Sequence, residues 1–127
     1  MHSLARLAAS TVAAALLSTG CGKQPQQTVS FSQDVKPILE QHCVECHQQG
    51  GKGTQTSGLK LTSYEALMQG TRLGPVVEPG HPASSTLVRL VEGKADPSIQ
   101  MPHGEEPLAK AQIQTIRQWV AQGTKDN

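Results

Sequence analysis

Apolar residues in this chain recur mostly at helical spacing. Phe31, Val35, Ile38, Leu39 and His42 lie three and four positions apart and predict a helix that delivers the chain into Cys43. Pro37 restricts its start. With Asp34 as N-cap the proline falls in the first turn, where a missing N–H costs little, whereas a start at Ser32 predicts a kink. Residues 48–58 carry Gly50, Gly51, Gly53 and Gly58 among Thr, Ser and Gln; without apolar anchors or a period they read as a surface loop. Leu59 and Leu61 alternate with polar neighbours, as in a short extended segment. Thr62-Ser63-Tyr64-Glu65 fits a capping box opening a short helix over Ala66, Leu67 and Met68, with Gly70 as its stop. Gly74-Pro75 and Pro79-Gly80-His81-Pro82 are turns around Val76-Val77. Ser84 or Ser85 caps a further helix carrying Leu87, Val88, Leu90 and Val91, ended by Gly93, and Lys94 to Pro107 forms a loop that includes Met101-Pro102-His103. The clearest helix is the last. Ala109, Ile113, Ile116 and Val120 keep the stripe with Trp119 beside it and Gly123 as the stop, although Ala109 is a poor cap and only Pro107 marks the entry. The pattern is therefore all-α, about four short helices linked by glycine- and proline-rich loops.

The amino terminus follows a different logic. Arg6 precedes an apolar run from Leu7 to Leu17, and Ser18-Thr19-Gly20-Cys21 follows, as in a secretory signal. The run is shorter than the roughly 20 residues of a bilayer span. Small residues directly before a cysteine resemble a lipobox, although Leu17 stands four positions ahead of Cys21 and Ser18 occupies the place where Leu is usual. Residues 1–20 are accordingly expected to be a signal peptide of lipoprotein type, with Cys21 lipidated and anchoring the protein on the extracytoplasmic, periplasmic side of a bacterial membrane. The other reading is an ordinary signal cut nearby, which leaves Cys21 as an exposed thiol, a liability in an oxidising compartment. Residues 21–29, rich in Gln, are too polar to pack and form a flexible tether; residues 30–127 form the domain.

Composition narrows the chemistry. Eleven Lys and Arg against ten Asp and Glu in 127 residues create no field that points to nucleic acid or to an anionic membrane surface. One Phe, one Tyr and one Trp leave a small core short of its usual aromatic volume. A large, flat, apolar cofactor would supply it. Cys43-Val44-Glu45-Cys46-His47 is the pattern that covalent haem attachment requires: each thiol adds to a vinyl group and the histidine ligates iron. A disulfide, a thioredoxin-like pair or half of a zinc site are the other readings of two close cysteines. A thioredoxin pair needs βαβ patterning, which is not found, and zinc normally shows a second ligand pair at short spacing. The expected cofactor is one covalent haem c. Of three cysteines, two then serve haem and one serves lipid.

From Phe31 to Gly123 the chain resembles the planctomycete-type branch of small c-type cytochromes. The likeness runs through Asp34-Val35-Lys36-Pro37-Ile38-Leu39, Cys43 to His47, Leu59-Lys60-Leu61, Pro79-Gly80-His81-Pro82, Ser85-Thr86-Leu87, Met101-Pro102 and Trp119-Val120-Ala121-Gln122-Gly123. The resemblance implies a cytochrome c fold in which the first and last helices cross beside the haem, with His47 as proximal and Met101 as distal ligand. The chain departs from the pattern at Ala109, where a capping Ser or Thr is frequent, and at His103, where a second Pro is common. His103 places a competing nitrogen two residues from the Met101 sulfur.

Two functions are compatible with these residues. A His/Met iron has both axial positions filled and can only change oxidation state, which is electron transfer with redox partner proteins. A haem sensor or a peroxidase-like enzyme would instead have an open or labile sixth position, with Met101 absent from the iron or leaving it readily. A third reading has Met101 merely packing, with His103 or His81 as the substitute ligand. Met68 reads as core packing and His81 as a turn residue.

Overall fold

Ser30 opens the first helical segment in the computed structural model, which describes residues 26–127. The expected signal peptide, Cys21 and the first part of the tether lie outside the described residues. Ser30 Oγ accepts from the Gln33 N–H, and Asp34 Oδ2 accepts from the Ser30 N–H at 2.8 Å, so each residue satisfies a donor that the helix end would leave open. Asp34 is thus the partner of the cap rather than the cap itself. The first turn, Phe31–Val35, is π-helical and runs directly into α1, Lys36–His42. Pro37 returns no N–H to the turn before it and its ring crowds the carbonyl four residues back. The wider turn just upstream, in which the Lys36 N–H reaches Phe31 O, accommodates that without a break.

Residues 48–58 are not a simple loop. They contain α2, Lys52–Ser57, none of whose residues is buried, which is why no apolar period announced it. Polar groups hold it instead. Gly58, at φ +83°, ends the helix in the left-handed conformation. Arg72 donates its backbone N–H to Ser57 O at 3.0 Å, and its guanidinium donates to Thr56 O and Gln55 O at 2.8 and 2.7 Å. Three carbonyls that the last turn leaves without intrahelical partners are satisfied by one residue.

The remaining helices follow the pattern more closely. α3, Tyr64–Gln69, is capped by Ser63, not Thr62, whose Oγ accepts from the Ala66 N–H at 3.1 Å. α4, Thr86–Val91, begins after Ser85. The buried Ser85 hydroxyl accepts from the Glu78 N–H and donates to His81 O, so it ties the preceding turns together rather than capping the helix. A 3-10 turn spans Pro97–Ile99, and α5 runs over Lys110–Ala121. There the Gln112 side chain reaches back to the Ala109 N–H at 3.0 Å, half of the reciprocal cap that alanine cannot complete. The described residues form an all-α domain of five α-helices with no strand; Leu59 and Leu61 are buried but join no sheet.

The first helical segment packs against α5, and α4 is tied to α5 through the Arg117–Glu92 ion pair at 2.9 Å. The lone Phe, Tyr and Trp are gathered in one cluster: Phe31 lies 5.4 Å from both Tyr64 and Trp119, centroid to centroid, and Tyr64 meets Trp119 edge-on at 6.3 Å. Their polar ends continue the joint. Tyr64 OH donates to Thr124 O and Trp119 Nε1 to Lys125 O, each at 2.9 Å. Asn127 O accepts from the Ser32 N–H and from both serine hydroxyls, while Gln122 Oε1 accepts from the Val29 N–H. The entering and leaving segments are thereby stitched side by side.

Trp119 is wholly buried at the centre of this joint, so Trp119→Ala should lower stability by about 3–5 kcal/mol, a large part of the roughly 5–15 kcal/mol of a typical domain. Trp119→Phe keeps most of the ring contact and loses the hydrogen bond to Lys125, and should cost about 1–2 kcal/mol. Urea unfolding of the three proteins measures both differences.

Candidate functional site

α1 ends by handing its last carbonyls to the motif that follows. The Cys43 N–H donates to Leu39 O at 2.9 Å, and the Cys46 and His47 N–H groups both donate to Cys43 O, at 3.2 and 2.9 Å. Cys43, Cys46 and His47 are therefore wound into one turn. Both thiols are free, Cys43 half-buried and Cys46 exposed. Burial pushes the Cys43 thiol up to about 11, and the charges of Glu105 and Cys46 add to the rise, so it is neutral at neutral pH.

His47 is only 7% exposed. Its Nδ1 lies 3.2 Å from Leu59 O; a carbonyl oxygen can only accept, so Nδ1 carries a proton, and in the neutral ring Nε2 then keeps its lone pair. The surrounding backbone is held in place by Leu61 N–H donating to His47 O at 2.8 Å and Thr54 N–H to Cys46 O at 3.1 Å. Thr54 Oγ1 also donates to Leu59 O, at 2.7 Å. Gly53 brings α2 onto the ring: a Cβ at this position would stand 2.7 Å from Cε1 and 2.8 Å from Nε2 of His47, inside any tolerable contact. Gly53, Thr54 and the Leu59 carbonyl escape a reading of the sequence. A glycine among glycines signals only a loop, and a main-chain carbonyl has no sequence signature at all.

Met101 is half-buried in the loop after the Pro97–Ile99 turn and is followed by buried Pro102, with His103 and His81 exposed. Met68 is half-buried and packs against the core. His42 accepts at Nε2 from the Gln112 side-chain amide at 3.1 Å, which pins the end of α1 to the start of α5. The structure thus joins Cys43, Cys46 and His47 in one turn and carries Met101 on a separate loop. Among the described residues no three His, Cys, Asp or Glu side chains converge as a metal-ion site, so a zinc reading of the cysteine pair finds no further ligands there. The donor set fits haem c: two uncommitted thiols, and an imidazole whose Nδ1 proton is taken by a carbonyl while its Nε2 lone pair is left for iron.

Residues 43–105 match the family model described as Planctomycete cytochrome C. No curated protein and no solved structure matches the chain. The matched stretch starts at the first cysteine of the motif and takes in Met101-Pro102. It leaves the first helical segment and α5 outside.

The contact at Gly53 is directly testable. Gly53→Ala must push the imidazole or α2 aside, and should destabilise the protein by about 1–3 kcal/mol as overpacking, whereas Lys52→Ala, on the exposed part of the same helix, should stay within about 0.5 kcal/mol of wild type. Denaturant midpoints of the two variants make the comparison.

Proposed function

The chain carries a planctomycete cytochrome c domain over residues 43–105, and on that premise we propose that it is an exported, lipid-anchored electron carrier with one haem c held by Cys43, Cys46, His47 and Met101. A cytochrome c domain implies haem-based electron transfer. Once bound, the haem supplies one-electron exchange between ferric and ferrous iron. The chain's own residues do the rest. Cys43 and Cys46 each add their S–H across a vinyl group and so fix the macrocycle to the turn that carries His47. His47 offers Nε2 in a fixed orientation, because Leu59 O occupies the proton on Nδ1. Met101 would hold the iron through its sulfur opposite the contribution of His47 to the donor set; Pro102 restricts the backbone of the residue before it, and a thioether favours ferrous iron more than a second imidazole does. The observation that carries this reading is the buried His47 with a committed Nδ1, next to two uncommitted thiols in the same turn.

The balance of charge, net +1, offers no strong steering field, so redox partner proteins would be recognised by local surface rather than by overall charge. Lipidation of Cys21 would hold the domain at the membrane through residues 22–29, on the extracytoplasmic side, where c-type haem is attached.

Three measurements test these assignments. The haem should stay with the chain through acid-acetone extraction and denaturing electrophoresis; its loss would sink the thioether assignment. Met101→Ala should lower the reduction potential and open the iron to carbon monoxide, or do so together with His103→Ala if that imidazole takes the vacated position. An unchanged potential and ligand-field spectrum in Met101→Ala would point instead to a sensor or peroxidase-like protein. Fractionation of wild type beside Cys21→Ser should move the protein from membrane to soluble fraction, and equal partitioning of the two would remove the anchor.

A further inference from the structure

α2 carries three hydroxyl side chains, and they do not behave alike. Thr56 and Ser57 donate back to carbonyls four residues earlier, Lys52 O at 3.0 Å and Gly53 O at 2.7 Å, the ordinary habit of such residues within a helix. The corresponding carbonyl for Thr54, Gly50 O, accepts from the Gln55 side chain at 3.0 Å. Thr54 Oγ1 turns the other way and donates to Leu59 O at 2.7 Å. That oxygen is the one that accepts from His47 Nδ1 at 3.2 Å.

An sp² oxygen has two lone pairs and can serve both donors, but not with equal strength. The hydroxyl bond has the usual length for an oxygen donor, whereas the imidazole bond lies at the long end of the range for a nitrogen donor. A strongly engaged hydroxyl draws electron density from the carbonyl and leaves it a weaker acceptor for Nδ1–H. The strength of that second bond matters at the iron, because an acceptor on Nδ1 raises the basicity of the imidazole as a ligand, and a more basic ligand favours ferric iron.

Resting on His47 being the proximal ligand, we propose that Thr54 is a positioning residue that raises the reduction potential: its hydroxyl competes with His47 Nδ1–H for the Leu59 carbonyl and holds the imidazole in a less basic state. Gly53, directly before it, permits the arrangement by letting the helix backbone approach the ring.

The test is a spectroelectrochemical titration of the full haem-loaded protein as wild type, Thr54→Val and Thr54→Ser. Valine matches threonine in shape and lacks the donor, so Thr54→Val should bind haem covalently with its axial ligand spectrum intact and titrate at a lower potential. The expected shift is a factor of about three to ten in the reduced-to-oxidised ratio at fixed ambient potential, tenfold being 59 mV for one electron. Thr54→Ser should stay at the wild-type value. A purely structural role has the opposite sign, since loosening the 54–59 segment would weaken the His47 hydrogen bond and raise the potential. An unchanged or raised potential in Thr54→Val, or a fall of equal size in Thr54→Ser, overturns the proposal while leaving the haem assignment standing. Should Thr54→Val not accumulate, Thr54→Ala removes the same donor and is judged by the same signs. A wild-type protein without covalent haem overturns the proximal assignment and this proposal together.

Discussion

The packing of Phe31 and Tyr64 against Trp119 is the contact on which the rest of the domain depends. It joins the first helical segment, α3 and α5, elements widely separated along the chain, and so closes the longest loops of the fold in one place. With only one residue of each aromatic type available, spreading them would have left several weak contacts; concentrated, they bury a fully enclosed indole and add favourable ring geometry. The hydrogen bonds from Tyr64 and Trp119 to Thr124 and Lys125 extend the joint into the tail, where Asn127 and Gln122 take up the N–H groups of Val29, Phe31 and Ser32. Gln27 and Val29 are held by Gln122, so a tether reaching back toward Cys21 would leave the domain beside the end of α5.

At the site the order of control is reversed, and polar groups do what apolar burial does in the core. α2 buries no residue, yet it lies against the imidazole because hydrogen bonds tie it to its neighbours. Gly58 and Arg72 close the C-terminal end, and the Thr54 N–H is returned to Cys46 O. A helix so dependent on hydrogen bonds is held in one register relative to His47, where a greasy contact would permit sliding. The cost of burying a histidine is met in the same way, through a single carbonyl that fixes both the tautomer and the direction of the ring. Electrostatics contribute little beyond this. The Cys43 thiol is kept neutral chiefly by burial, and conversion to a thioether would remove its titration altogether.

Much of the domain could be read directly from local pattern. The stripes of α1 and α5, the short helices α3 and α4, the glycine stops and the Cys43–His47 motif are all short-range signals, in which a residue's type and its neighbours three or four positions away decide the outcome. The tertiary structure decided what such signals do not carry. The existence of α2 and the convergence of Gly53, Thr54 and Leu59 O on His47 depend on backbone carbonyls and on Arg72, groups brought in from elsewhere in the chain. Main-chain acceptors are identical at every position, so no residue code announces which of them will face a histidine, and only the folded arrangement selects it.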